Sequence, residues 1–163
     1  SALHKSLRDS DPDASLYWFA RMVAAGEDRL YIARRLVRFA SEDVGMADPA
    51  ALQLAVSAFN AYHQLGSPEG ELALAQVVVH LARAPKSNAV YAAYGEVLAE
   101  IEHSGSLPPP KVILNAPTGL MKDLGYGAGY AYAHDDPAAA KSQQHLPDEL
   151  VGKTWWHGPG ARS

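Results

Sequence analysis

The sequence contains no cysteine, which excludes a disulfide framework, a thiolate zinc site and a cysteine nucleophile. It also lacks a strong excess of either charge, because the formal net charge of −4 gives no overall attraction to DNA or to a membrane surface. The longest apolar run, residues 72–82, is too short to span a bilayer. These absences predict a globular cytoplasmic domain.

The first residues contain neither a starting methionine nor a signal peptide. Residues 1–8 have the pattern of the end of an amphipathic helix. Together these features favour a piece excised from a longer protein.

Strand signals are scarce, whereas proline and glycine divide residues 1–105 into segments with helical periodicity. Helix starts are predicted at Asp11-Pro12, Asp28, Asp48-Pro49, Ser67-Pro68 and Ser87, and ends near Gly26, Gly45, Gly66, Pro85 and Gly105. We therefore predict an all-α fold, a helical bundle of about five or six helices.

Residues 106–163 have a different character. A run of prolines forms a connector, a short helix is predicted at 118–124, and the remainder is rich in glycine and aromatic residues. Because a solvated tail seldom carries so much aromatic surface, we expect an irregular strap packed on the same domain. Trp155 and Trp156 are interpreted as a clasp against the bundle, with a base-stacking or peptide site as the alternative.

The fourth and fifth predicted helices are both strongly apolar. The fourth, after Pro68, is apolar on nearly all sides, which is typical of a buried helix. In the fifth, one apolar face is expected to pack within the chain, and its residues are Val90, Tyr94, Val97, Leu98 and Ile101.

No charged residue occurs between Pro49 and Pro68, although a surface helix usually carries several. Burial within one copy and coverage by a second copy explain this pattern equally well. The candidate interface on the third and fourth helices consists of Phe59, Tyr62, Val77 and Val78.

One basic cluster on a helix, Arg34, Arg35 and Arg38, could contact a phosphate backbone. Carboxylates lie within one or two turns of it, at Glu27, Asp28, Glu42 and Asp43. A solvated, salt-bridged face is therefore the favoured interpretation, and a DNA-binding module is the alternative.

Two short motifs suggest chemistry without the context that the chemistry needs. Gly152-Lys153-Thr154 ends like a P-loop, but no apolar strand precedes it and Trp155-Trp156 cannot start a helix well. His134 and Asp136 are metal-ligand types, but a turn before Pro137 is favoured because neighbouring residues rarely converge on one ion. No catalytic, cofactor-binding or metal site is predicted.

Several long runs resemble the C-terminal region of the RarA/MgsA AAA+ ATPases, a family that includes the eukaryotic Werner-helicase-interacting protein. They include Ser10-Asp11-Pro12-Asp13-Ala14, Tyr31-Ile32-Ala33-Arg34-Arg35-Leu36, Phe39-Ala40-Ser41-Glu42-Asp43-Val44-Gly45, Ala84-Pro85-Lys86-Ser87-Asn88-Ala89-Val90-Tyr91 and Leu146-Pro147-Asp148-Glu149-Leu150. Such runs in a fixed order are more specific than a short motif.

The resemblance implies a fold related to the clamp-loader collar and a role as a non-catalytic homotetramerisation domain. It further implies that ATP and Mg²⁺ bind a separate N-terminal ATPase domain. The intact protein would then act on DNA at stalled replication forks, contact single-strand-binding protein and associate with the bacterial nucleoid. The family often has basic residues where this chain has Leu114, Gly119, Ala128 and Ala131, which argues against a DNA contact in that segment.

Overall fold

The computed structural model describes residues 1–162, and within this range the chain forms eight α-helices and no β-strand. The helices are α1 (Ala2–Arg8), α2 (Pro12–Ala24), α3 (Arg29–Phe39), α4 (Ala50–Leu65), α5 (Glu69–Arg83), α6 (Ala89–Ser104), α7 (Gly119–Asp123) and α8 (Pro137–Ser142). The all-α fold expected from the sequence is confirmed.

Local capping explains where several helices begin. The Asp11 carboxylate accepts a hydrogen bond from the Ala14 amide at 2.9 Å, and Pro12 occupies the first position of α2. Asp28 caps α3 in the same way through the amide of Leu30 at 3.0 Å. These short-range bonds confirm the helix starts expected at both aspartates.

The end of α3 differs from the sequence expectation of one helix reaching Gly45. The α-helix ends at Phe39 and continues as a single π-helical turn, Ala40–Val44. Gly45 then adopts a φ of +52°, and a Cβ there would lie 3.1 Å from the Ser87 carbonyl oxygen. The close approach of the Ser87 backbone therefore requires glycine at this turn.

The chain divides into two compact units. The N-terminal unit consists of Ser1–Glu96 together with the terminal segment that begins at Trp155, and the second unit consists of Val97–Thr154. In the N-terminal unit, α5 packs against α1, α2, α3 and α4. Its Leu74, Val78 and Leu81 side chains are buried in the core. The expected burial of α5 is thus confirmed, although Leu72 remains 75% exposed.

The predicted packing face of α6 is wrong, because no residue of this helix is buried. Tyr94 is 66% exposed and Leu98 is 49% exposed. Helical periodicity shows that a face is apolar, but it does not show whether the same chain covers that face.

The second unit is held together mainly by local hydrogen bonds. Gln143 exchanges two bonds of 3.1 Å with the backbone of Ala131, and the Gly127 amide donates to the Lys111 carbonyl oxygen at 2.7 Å. Ala140 is its buried apolar residue. The short helix expected at 118–124 is confirmed as α7.

The terminal tryptophans are both partly buried, and their segment belongs to the N-terminal unit. The Trp156 indole Nε1 donates to the Pro159 carbonyl oxygen at 2.8 Å. A side chain at Gly158 would collide with the Trp156 ring. Association with the bundle unit agrees with the clasp interpretation, while the predicted packing of the whole strap, residues 106–163, on residues 1–105 stays a prediction.

Candidate interaction surfaces

The exposed side of α6 carries a continuous apolar stripe. Tyr91, Tyr94, Leu98 and Ile101 follow one another at spacings of three, four and three, so that they lie on one face of the helix. Each of these four side chains is about half or more exposed. A stripe of this size is typical of a protein–protein interface, because monomeric proteins seldom leave a contiguous apolar patch in water.

A second exposed apolar surface lies on α4, the helix without charged residues. Leu52 and Val56 are both exposed, and Phe59 is partly buried against the core. Val56 and Phe59, together with Val37 and Arg34 of α3, line a shallow apolar groove of about 250 Å³. This groove could accept an aliphatic or aromatic side chain from another molecule.

The four candidate interface residues have different environments. Val77 and Val78 are buried in the core of the N-terminal unit, so their assignment to a subunit interface is wrong. Both valines lie on the side of α5 that faces its neighbouring helices. The lack of charged residues could not reveal this, because a side buried within the chain and a side covered by a second copy both lack charge. Tyr62 is partly buried, and its hydroxyl lies 3.0 Å from that of Ser67, whereas Phe59 reaches the groove on α4.

The three arginines proposed for DNA contact do not form one surface. Arg34 lines the α4 groove and lies 3.9 Å from the Asp28 carboxylate. Arg38 pairs with Glu42 at 3.0 Å. Arg35, in contrast, is partly buried beside α1 and has no carboxylate partner among residues 1–162. The salt-bridged interpretation therefore applies to Arg34 and Arg38 and does not apply to Arg35.

Gly152-Lys153-Thr154 does not have the geometry of a phosphate-binding loop. The Lys153 ammonium group lies 2.7 Å from the Glu100 carboxylate, and this lysine lowers the pKa of Glu100, mainly through the hydrogen bond. A short 3₁₀ turn, Asp148–Leu150, precedes the triplet and no helix follows it within the described residues. A P-loop needs a strand before the loop and a helix after it, so these residues do not fit ATP.

The histidine-containing turn has a structural role. Asp136 caps α8 by accepting from the Ala139 amide at 3.1 Å, as expected for a turn before Pro137, and the His134 ring lies 5.2 Å from that of Tyr132. Among residues 1–162, no three histidine or carboxylate side chains converge in a metal-binding arrangement.

Two ionic links position the helices of the N-terminal unit. Arg29 at the start of α3 donates to Glu71 of α5 at 2.9 Å, and this bond is the main cause of the lowered pKa of Glu71. Arg8 of α1 donates to Asp43 in the π-helical turn at 2.7 Å. Sequence reasoning missed Arg8, because its partner lies 35 residues away and no local spacing connects them.

The helices described for residues 1–162 include none that combines the length and the apolar character needed to cross a lipid bilayer.

The family described as MgsA AAA+ ATPase C terminal matches residues 9–162. The chain is 54% identical over 157 residues to replication-associated recombination protein A of Coxiella burnetii, covering 96% of this chain and 36% of that protein. The protein of the same name from Escherichia coli K12 is 51% identical over 152 residues, which cover 93% of this chain and 34% of that protein.

A eukaryotic relative, ATPase WRNIP1 of Dictyostelium discoideum, is 46% identical over 157 residues, with 96% of this chain and 18% of that protein covered. The chain thus spans about a third of the length of its bacterial relatives and less of the eukaryotic one. Because the family match extends over nearly all of the described residues, the chain belongs to the family of C-terminal domains of the MgsA AAA+ ATPases.

Proposed function

We propose that this domain associates with itself, and that it thereby assembles AAA+ ATPase subunits into a homotetramer that acts on DNA at stalled replication forks. The observation that carries the proposal is the exposed apolar stripe of α6, Tyr91, Tyr94, Leu98 and Ile101. Removing one such side chain completely from water contributes about 1.5–3 kcal/mol, so a stripe of four favours a stable contact.

A second copy of the chain is the partner that best suits this stripe. The spacing of three and four residues is the spacing with which helices pack side by side. A two-fold axis across α6 would place the stripe of one copy against the stripe of the other, because an isologous contact uses the same surface twice. Glu102 is exposed beside the stripe and would remain at the rim of such a contact, whereas the exposed Glu96 lies on the opposite face of α6 and would stay in water.

A tetramer needs a second, distinct contact, because one isologous interface closes a dimer. The exposed Leu52 and Val56 of α4, with the adjoining groove at Phe59, supply a suitable apolar surface. This assignment keeps Phe59 from the sequence-based interface and replaces the buried valines with exposed neighbours on α4.

The role in the whole protein is proposed from the relatives. Two of them are named for replication-associated recombination, and the matched family is that of AAA+ ATPases. On this proposal, ATP and Mg²⁺ bind an ATPase module outside the residues of this chain. DNA is bound by the assembled protein in the cytoplasm, with single-strand-binding protein as a further partner.

Sedimentation equilibrium and light scattering at micromolar concentrations test the self-association. We expect the mass of four chains, and we expect Tyr94→Glu or Leu98→Glu to raise the dissociation constant by more than about 30-fold, since a central interface residue contributes about 2 kcal/mol or more. Val56→Glu should disrupt the other contact and leave dimers.

Leu72→Glu is the matched control, because Leu72 is an exposed leucine on a helix outside both surfaces. It should leave the mass unchanged. A monomeric unmodified chain would contradict the self-association, and equal dissociation by Leu72→Glu and Leu98→Glu would contradict the assignment to α6.

A further inference from the structure

A cationic cavity of about 240 Å³ lies between α1 and α3, apart from the two proposed self-association surfaces. Lys5 and Arg8 of α1 and Arg35 and Arg38 of α3 contribute four cationic side chains to its lining. Phe39 provides an apolar part of the wall. The cavity is smaller than the roughly 300–1,000 Å³ of most sites for drug-sized ligands, so it suits a small group.

Two carboxylates at the cavity neutralise two of these cations. Asp43 lies 2.7 Å from Arg8, and Glu42 lies 3.0 Å from Arg38. Both acids come from the π-helical turn Ala40–Val44, an irregularity that is frequent at functional sites. Lys5 and Arg35 have no carboxylate partner among residues 1–162, so the cavity keeps a net positive charge.

Arg35 is the central observation. Arg35 is partly buried as a residue, and the one hydrogen bond of its guanidinium group within the described chain is a long and exposed one, 3.5 Å, to the Tyr31 hydroxyl. A guanidinium group has five N–H donors in a planar fork, and that fork matches the oxygen atoms of a phosphate group. Most of these donors therefore remain available to a ligand in the cavity.

The pKa of His4, which also lines this cavity, reflects the positive charge around it. Burial lowers the pKa of His4, and the nearby charge of Arg35 lowers it further. The imidazole also lies edge-on to Phe39, with ring centroids 5.8 Å apart. An anion bound beside Arg35 would offset this field and raise the pKa of His4, which provides a spectroscopic signal of occupancy.

We propose that this cavity binds one phosphate group, held by Arg35 and Lys5 with Arg8 and Arg38 at its sides. The group comes either from a nucleic-acid backbone or from a free phosphate compound, since both present the same oxygen atoms. The site lies beyond the self-association function and does not depend on it. In this proposal Arg35 binds the phosphate group, whereas its neighbour Arg34 lines the groove on α4 and takes no part in the site.

Titrations of the full chain with inorganic phosphate, pyrophosphate and a short thymidine oligonucleotide test the site, with His4 observed by NMR and affinity measured by calorimetry. A methylphosphonate oligonucleotide of the same sequence, which lacks backbone charge, should not bind. Arg35→Gln and Lys5→Gln should each weaken binding by about tenfold to a hundredfold, because hydrogen bonds to charged groups are strong. Arg34→Gln is the matched control and should leave affinity unchanged.

Saturable binding of inorganic phosphate would assign the site to free phosphate compounds, and binding of the oligonucleotide alone would assign it to a nucleic-acid backbone. Lys5 is exposed, so Lys5→Gln preserves the fold even if Arg35→Gln does not. Three outcomes would overturn the proposal. The first is an equal loss of affinity in the Arg34→Gln and Lys5→Gln variants, and the second is a His4 NMR signal that does not shift on titration. The third is a complete loss of binding when only the nearby Ser1 amine is acetylated. Sedimentation of the Lys5→Gln and Arg35→Gln variants should show an unchanged oligomeric state, which separates this test from that of self-association.

Discussion

The consecutive helices α5 and α6 are both strongly apolar in sequence, but they differ completely in burial. α5 buries six of its residues, among them Leu74, Val78 and Leu81, whereas α6 buries none. α6 has no lysine or arginine, so its exposed stripe is not protected by long basic side chains. The difference shows that an apolar helix can stabilise either its own fold or an assembly, and that only its neighbours in space distinguish these roles.

The largest expected effect comes from truncating one leucine in each helix. Leu81→Ala in α5 should lower the free energy of unfolding by about 3–5 kcal/mol, because it removes fully buried atoms and leaves a cavity. Leu98→Ala in α6 should change the stability of the dissociated chain by less than about 0.5 kcal/mol, as at other exposed sites.

Urea unfolding at several protein concentrations measures both effects. Any additional effect of Leu98→Ala should appear as the concentration is raised, since self-association stabilises the folded state by mass action. A large, concentration-independent loss from Leu98→Ala would show that α6 is part of the monomer core and would remove the contrast between the helices.

Substituting one glycine in each helix by alanine should change the free energy of unfolding by an intermediate amount. A Cβ at Gly70 of α5 would lie 2.9 Å from Tyr62 Cα, so Gly70→Ala should force α4 and α5 apart and cost about 1–3 kcal/mol. A Cβ at Gly95 of α6 meets no atom within 4 Å, so Gly95→Ala should stabilise the dissociated chain by about 0.5–1 kcal/mol.

Thermal unfolding of the two alanine variants checks the signs. Opposite signs would confirm that one helix is closely packed and the other is free. If Gly95→Ala stabilises the chain but prevents tetramer formation, the subunit contact extends to the glycine side of α6. Equal destabilisation by both substitutions would contradict the comparison.

The smallest expected effect concerns one carboxylate on each helix. The hydrogen bond from Arg29 lowers the pKa of Glu71 on α5, and that from Lys153 lowers the pKa of Glu100 on α6. A carboxyl group with a lowered pKa stabilises the fold above its unfolded pKa, near 4.3 for glutamate, and loses this contribution as the pH falls through the folded pKa. Both contributions should therefore be present at neutral pH and disappear in acid.

Unfolding midpoints measured between neutral and acidic pH test this point. Glu71→Gln and Glu100→Gln should each reduce stability slightly at neutral pH and make the acid dependence shallower, since both ion pairs lie at the surface, partly covered but still in contact with water. A steeper acid dependence in either variant would contradict the assigned direction of the pKa shift.

Much of the fold could be predicted because its signals are local. Asp11, Asp28 and Ser87 each bond to an amide within three residues, and Pro12 adopts its helical geometry without help from distant residues. The interface residues were harder, because Val77 and Val78 have the same apolar character as the exposed residues of α6. Their environment depends on which helices fold over them.

The candidate phosphate site illustrates the same limit for charge. Arg34 and Arg35 are adjacent in the sequence, and this spacing predicts one basic cluster, yet their side chains line different cavities. Lys5 and Arg8 line the same cavity as Arg35 and Arg38 only because the fold brings α1 close to the end of α3. No spacing along one helix could have indicated that pairing, because the contributing residues are separated by about thirty positions.

The sequence by itself determined the all-α class, the helix starts and the family, because caps, prolines and long runs of matching residues act or are read locally. The tertiary structure alone decided that α5 is covered and α6 is exposed, that Arg8 pairs with Asp43 and that Arg35 has no carboxylate partner within residues 1–162. The physical reason is that burial and ion pairing depend on distances between segments remote in sequence, and hydrophobic periodicity or charge spacing along one segment contains no information about those distances.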